Sequence, residues 1–129
     1  RRRLDSRLLE KPGQFDGTPA DWRPWKLRFE SYLDAMNEAY GTALLEAAAQ
    51  RVEITIDRVP QRMRVLGRFL YAMLLSLLTG PLMEMVAVVP LHNGWDAWRI
   101  VMNEMEPLAA TQKLGLLDLI FLKNMVVQV

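Results

Sequence analysis

The chain has 129 residues, 51% of them hydrophobic and 24% charged, a length and balance that suit one globular domain and exclude a disordered polypeptide. A net charge of +1 excludes a strongly basic nucleic-acid-binding domain, and the lack of cysteine excludes disulfides, thiolate zinc sites and cysteine nucleophiles. Eight methionines, flexible side chains that fill irregular gaps, predict an adaptable interior or contact surface.

Residues 1–14 carry Arg, Pro and Gly without a sustained period and read as a basic arm or linker led by Arg1, Arg2, Arg3 and Arg7. No apolar stretch of the signal-peptide kind follows them. The chain does not begin with Met and ends in Met125-Val126-Val127-Gln128-Val129, a pattern expected of a fragment. Phe15-Asp16-Gly17-Thr18-Pro19 predicts a turn leading into a helix.

The first helix is expected over about Asp21–Met36, with Asp21 as N-cap and Pro24 in the first turn. Trp22, Trp25, Phe29, Tyr32, Leu33 and Met36 form one helical face. A second, Ala-rich helix is expected over about Thr42–Arg51, with Leu44, Leu45 and Ala48 inward. Val52-Glu53-Ile54-Thr55-Ile56 alternates as a strand does, but a lone short strand has no partner, which predicts an extended connection or a frayed helix end.

The third helix, about Pro60–Leu78, is apolar nearly all round in its second half and is expected to be the central buried helix. Gly67 inside it predicts a close helix crossing. The uncharged run Phe69–Met83 is 15 residues long, short of a membrane span, and Gly80-Pro81 breaks it. Gly80 suits positive φ just past a helix end, and Pro81 suits the first turn of a fourth helix, about Pro81–Val88. A loop, Pro90–Gly94, then leads to a fifth helix over about Trp95–Met105, with Trp95, Trp98, Met102 and Met105 as its buried face. Asn93 and Asp96 have the spacing of a capping box. A sixth helix is expected over about Leu108–Met125, apolar on more than one side through Leu116, Leu119, Ile120 and Leu122.

Catalytic patterns are missing. The single His92 lies in a loop, the glycines are isolated, no Gly-Lys-Ser/Thr or Gly-x-Ser-x-Gly occurs, and Glu104 and Glu106 are two apart on a helix and do not converge. No enzyme activity, cofactor or metal is expected. Arg58, Arg62, Arg64 and Arg68 read as a solvated helix face or, with Arg1, Arg2, Arg3 and Arg7, as a weak phosphate contact. Of the four tryptophans, at helical spacing, most are expected in the core. One partly exposed ring among Trp22, Trp25, Trp95 and Trp98 is a candidate anchor for a peptide or a neighbouring subunit.

Phe15-x-Gly17, Trp22-x-x-Trp25, Phe29-x-x-Tyr32-Leu33, Leu78-Thr79-Gly80-Pro81-Leu82 and Gly94-Trp95-x-x-Trp98 occur in an order that resembles the capsid N-terminal lobe of retrotransposon Gag proteins. The Ty3/gypsy and copia-like families and their domesticated Arc-type relatives share it, over about Phe15–Pro107. The resemblance implies an all-α, capsid N-lobe-like bundle of about five to six helices, divided as arm 1–14, lobe 15–107 and terminal helix 108–129. The last would be the start of an incomplete second lobe. It further implies a self-assembling homo-oligomer or virus-like shell, a cytoplasmic location and RNA as a partner, although the zinc knuckle that usually binds RNA is missing. An apolar bundle without a catalytic set suits self-association on physical grounds as well. The alternative is a domesticated peptide-binding adaptor with a Trp-lined groove.

Overall fold

Five α-helices follow one another in the computed structural model, which describes residues 10–107. They are α1 (Pro19–Met36), α2 (Ala39–Ala48), α3 (Gln61–Leu77), α4 (Gly80–Ala87) and α5 (Gly94–Met105). Single 3-10 turns occupy Ile56–Arg58 and Pro90–His92. The architecture is all-α. Arg1, Arg2, Arg3 and Arg7, and the sixth helix with Leu116, Leu119 and Ile120, lie outside the described residues.

Local chemistry places the helix starts. The Asp16 carboxylate accepts both the backbone N–H of Thr18 (3.0 Å) and its hydroxyl (2.6 Å), which fixes the turn before α1. The helix then begins at Pro19, whose fixed φ suits a first helical position. Asp21 is therefore not the N-cap. It lies in the first turn and donates its N–H to the Thr18 carbonyl (3.0 Å), where its charge still complements the helix N-terminus. With this earlier start Pro24 sits inside the helix, and no N–H is offered there to the carbonyl of Ala20 at the exposed end of α1. The second helix also begins earlier than its composition suggests. The Asn37 side chain accepts the Ala39 N–H (2.9 Å) and turns the chain at once into α2. That register buries Tyr40, Leu44 and Ala47 and turns Leu45 outward, contrary to expectation.

The core is organised around aromatic rings from both ends of the sequence. Trp25 stacks on Phe15 (5.3 Å between centroids) and on Phe29 (4.7 Å). Trp98 of α5 lies against Phe29 (5.4 Å) and Trp22 (6.2 Å). Such offset pairs add about 0.5–1.5 kcal/mol each beyond simple burial. Phe15 is also tied by its backbone. Its N–H donates to Leu77 O (2.8 Å) and its carbonyl accepts the Thr79 N–H (3.0 Å), an isolated parallel bridge. The bridge occupies the short extended link Leu78-Thr79 between α3 and α4, and Gly80 follows with φ +66 as the Gly-Pro corner requires.

The helix at the centre is α5, not α3. It packs against α2, α3 and α4, and Ala97, Trp98 and Val101 have no exposed surface. The second half of α3 buries Leu70, Tyr71, Met73, Leu74 and Leu77 but leaves Phe69 and Leu75 facing solvent. Gly67 does mark a close crossing, against Trp95 of α5.

Candidate interaction surfaces

All four tryptophans are buried, so none is an exposed anchor. Three of the indole N–H groups are held from within. Trp22 donates to the Glu106 carboxylate (2.8 Å), Trp25 to the Gly13 carbonyl (2.7 Å) and Trp95 to the Met63 carbonyl (3.0 Å). Burial of an indole is favourable when its N–H finds such a partner. Trp22, Trp25 and Trp98 thus belong to the core.

Trp95 contributes to a groove. A trough of about 510 Å³ runs between α2 and the segment that enters α3. One wall carries Ala39, Ala43, Ala47 and Glu46, the other Val59, Pro60, Arg62 and Met63, and Trp95 contributes to the lining. The small residues of α2 keep the trough open. Beneath it the Tyr40 hydroxyl donates to the Leu66 carbonyl (2.7 Å), and burial pushes its pKa up to about 12.

The four arginines of the third helical region do not converge. Arg58 and Arg62 line the groove. Arg64 lies on another side of α3 and donates its Nε to the Val59 carbonyl (3.0 Å), which fixes the entry to the helix. Arg68 is exposed one turn further on. A single phosphate-binding patch is not assembled from these four.

Asn93 and Asp96 do not form a capping box. The Asn93 amide donates to the Ile54 carbonyl (2.6 Å), and the Asp96 carboxylate accepts the Ile54 N–H (2.8 Å). Together they hold the backbone of one residue in the extended connection as a neighbouring strand would. Asp96 also receives the Arg99 guanidinium (2.7 Å), so its charge is paired although it is buried. Among the described residues, Asn93 Oδ1 is buried and finds no hydrogen-bond partner. Beside this clamp lies a smaller cleft of about 220 Å³ bordered by Glu53, Asp57 and Leu91.

At the opposite end of α5, the Lys26 ammonium and the Trp22 indole share one oxygen of Glu106 (3.1 and 2.8 Å). Glu30 stands nearby. Its pKa is raised by burial, against the pull of Lys26 and with a further push from Glu106. His92 is exposed and stacks on Tyr71 (4.8 Å, 9°), at a turn where Leu91 and His92 both adopt left-handed backbone (φ 59 and 51). Among the described residues, no group of three or more His, Asp or Glu side chains is placed to hold a metal ion, and no helix is long and apolar enough to cross a membrane.

Sequence reasoning missed two features, one buried and one at the surface. Both the Ile54 clamp and the apolar solvent side of α3 involve residues whose type was plain but whose direction was not. Comparison with protein-family models, with curated proteins and with solved structures finds no match to this chain.

Proposed function

We propose that this chain is a structural self-association module of the kind the Gag capsid N-terminal lobe represents, a helical unit that meets further copies of itself. The observation that carries this reading is the row of large apolar side chains left on one solvent face of α3, Val65, Phe69 and Leu75, with Leu45 exposed separately on α2. A helix buries its apolar stripe where it can, and contiguous exposed apolar surface marks a contact site. The ordered helices, from the Trp22-Trp25 helix through the Gly80-Pro81 corner to the Trp95-Trp98 helix, support it too. RNA is a further proposed partner, through the arm at Arg1, Arg2, Arg3 and Arg7 and through Arg58 and Arg62. A cytoplasmic, particle-associated location goes with the same reading.

Sedimentation velocity over a concentration series tests it, with electron microscopy of the concentrated sample. Larger species that grow with concentration are expected. One monomeric boundary throughout would overturn the reading.

The groove beside α2 favours a second reading, a peptide-binding adaptor. Here Trp95 reports, because its ring contributes to the lining. An apolar peptide would shift its emission, and a Trp95→Phe variant would lose that response.

A further inference from the structure

We propose that the self-contact joins the outer face of α2 in one copy to the outer face of α3 in another, a pairing that rests on the self-association reading above and names its surfaces. Two faces of the molecule each carry exposed apolar side chains and formal charge of one sign.

On α2 the side chains of Glu38, Thr42, Leu45, Glu46 and Ala49 are all exposed. At 3.6 residues per turn they fall within an arc of roughly 100°, one face of the helix. Leu45 stands 66% exposed at one edge of this arc, with Thr42 and Ala49 at its centre. From Asp34 to Gln50 the chain holds Asp34, Glu38 and Glu46 and no Lys or Arg. Asp34 belongs to the same region, since a Cβ on Gly41 of α2 would sit 3.1 Å from its carboxylate.

On α3 the exposed face carries Arg62, Val65, Arg68, Phe69, Ala72 and Leu75, within an arc of roughly 140° by the same geometry. Val65 is 72% exposed, Phe69 38% and Leu75 37%. The helix Gln61–Leu77 contains Arg62, Arg64 and Arg68 and no Asp or Glu.

A contact of α3 on α3 would bring arginines together, and one of α2 on α2 would bring glutamates together. Like charges facing one another across an interface are unfavourable, and opposite ones fix partner and register. Of the three pairings, α2 on α3 is the one that sets acidic Glu38 and Glu46 opposite basic Arg62 and Arg68 and brings Leu45, Val65 and Phe69 into one contact; Glu46 and Arg62 also edge the groove within a single copy, so the contact reaches to the groove's rim. The occupant of each face is therefore a second copy of this chain, in a contact that closes as a pair or runs on as a chain according to its rotation.

Charge exchange tests this. Variant one carries Glu38→Lys and Glu46→Lys, and variant two carries Arg62→Glu and Arg68→Glu. All four positions are exposed, and circular dichroism checks that both variants keep the helices. By sedimentation, each variant alone is expected to self-associate about tenfold or more weakly than the parent. An equimolar mixture is expected to recover association, because each altered face then meets its opposite on the other variant. Val65→Gln, which removes apolar area and leaves charge alone, is expected to weaken the parent in the same way. If the parent associates and the variants associate equally well, or the mixture recovers nothing, the pairing of α2 with α3 is overturned while self-association stands. If the parent stays monomeric, both fall.

Discussion

Gly94 at the start of α5 lies directly on the backbone of Gly67 in α3: a Cβ added at Gly94 would fall on the Gly67 carbonyl oxygen and stand 2.6 Å from the Tyr71 nitrogen. From the other side, a Cβ at Gly67 would stand 2.6 Å from Nε1 of Trp95, whose ring is fixed by its bond to the Met63 carbonyl. The two glycines let the helices cross at backbone contact. An alanine at either position is an overpacking change, which costs about 1–3 kcal/mol in a filled core. At Gly67 part of this is offset by alanine's better helix propensity, about 1 kcal/mol, so Gly67→Ala is expected to destabilise by at most about 2 kcal/mol. Gly94→Ala meets backbone that cannot rotate away and is expected to cost about 3 kcal/mol. Urea unfolding of the two variants measures both values, and a neutral Gly94→Ala would refute the close crossing.

The clamp on Ile54 leads to a second prediction. Asp96→Asn keeps an acceptor for the Ile54 N–H but leaves the Arg99 guanidinium, half-buried, without its charge partner. Breaking a buried pair from one side costs about 3–5 kcal/mol. Because Arg99 retains some access to water, about 2–3 kcal/mol is expected here. Asn93→Ala removes the bond to the Ile54 carbonyl together with an oxygen that has no partner. The two effects oppose one another, so a smaller loss of about 1 kcal/mol is expected. Hydrogen exchange at the Ile54 amide separates the cases: Asp96→Ala should expose it, and Asn93→Ala should leave it protected.

These elements differ in how well the chain announced them. The stripe Trp22, Trp25, Phe29 and Leu33 is unambiguous, because four large apolar groups at helical spacing have one side on which to be buried. The Gly80-Pro81 corner is equally plain, since each residue has a backbone preference of its own. The start of α2 was not plain. Its Ala-rich sequence offers little contrast between faces, and the signal that decides it is the Asn37 side chain bonding two residues ahead. Asn93 and Asp96 have the local spacing of a capping box, and only a partner 39 and 42 residues away reveals their use. The outer side of α3 was hidden for the reverse reason. Phe69 and Leu75 belong to a half-helix that is apolar nearly all round and so reads as wholly buried, yet their angular position carries them to solvent. The fold was therefore legible where burial and residue type agree, and the candidate contact surface was not, because it lies where they disagree.

Tyr40 offers a test at alkaline pH. Its pKa is pushed up to about 12 from 10.0 by burial, and its hydroxyl donates to the Leu66 carbonyl. A phenol whose folded-state pKa is raised contributes stability that is fully present below the unfolded value and is lost as pH rises through the folded one. The protein should accordingly lose stability progressively between about pH 10 and 12. Tyr40→Phe is expected to cost about 1 kcal/mol at neutral pH through the lost hydrogen bond and to flatten that alkaline decline. Tyrosinate absorbance should show a late ionisation from Tyr40, and Tyr40→Phe should remove that late step. An unchanged titration would refute the burial of this hydroxyl.

Glu30 makes the corresponding prediction on the acid side. Burial raises its pKa above 4.5, Lys26 opposes the shift and Glu106 adds to it. The charged form is thus disfavoured in the folded state. As pH falls from the raised folded value toward the unfolded one, the native protein takes up this proton before the unfolded chain does, so the group's contribution to stability grows toward acid and diminishes as pH rises through the folded value. Glu30→Gln fixes the neutral form. It is expected to stabilise the protein at pH 7 by less than about 1 kcal/mol, a small figure because the side chain is only half-buried and solvent screens it. At pH 4 the gain should vanish, since the native glutamate is then largely protonated as well. Thermal unfolding of parent and variant at both pH values measures the difference. The Lys26–Glu106 bridge remains in both proteins, so acid loss of that pair cancels in the comparison. A stabilisation of equal size at pH 7 and pH 4 would show that Glu30 acts through packing and not through its charge.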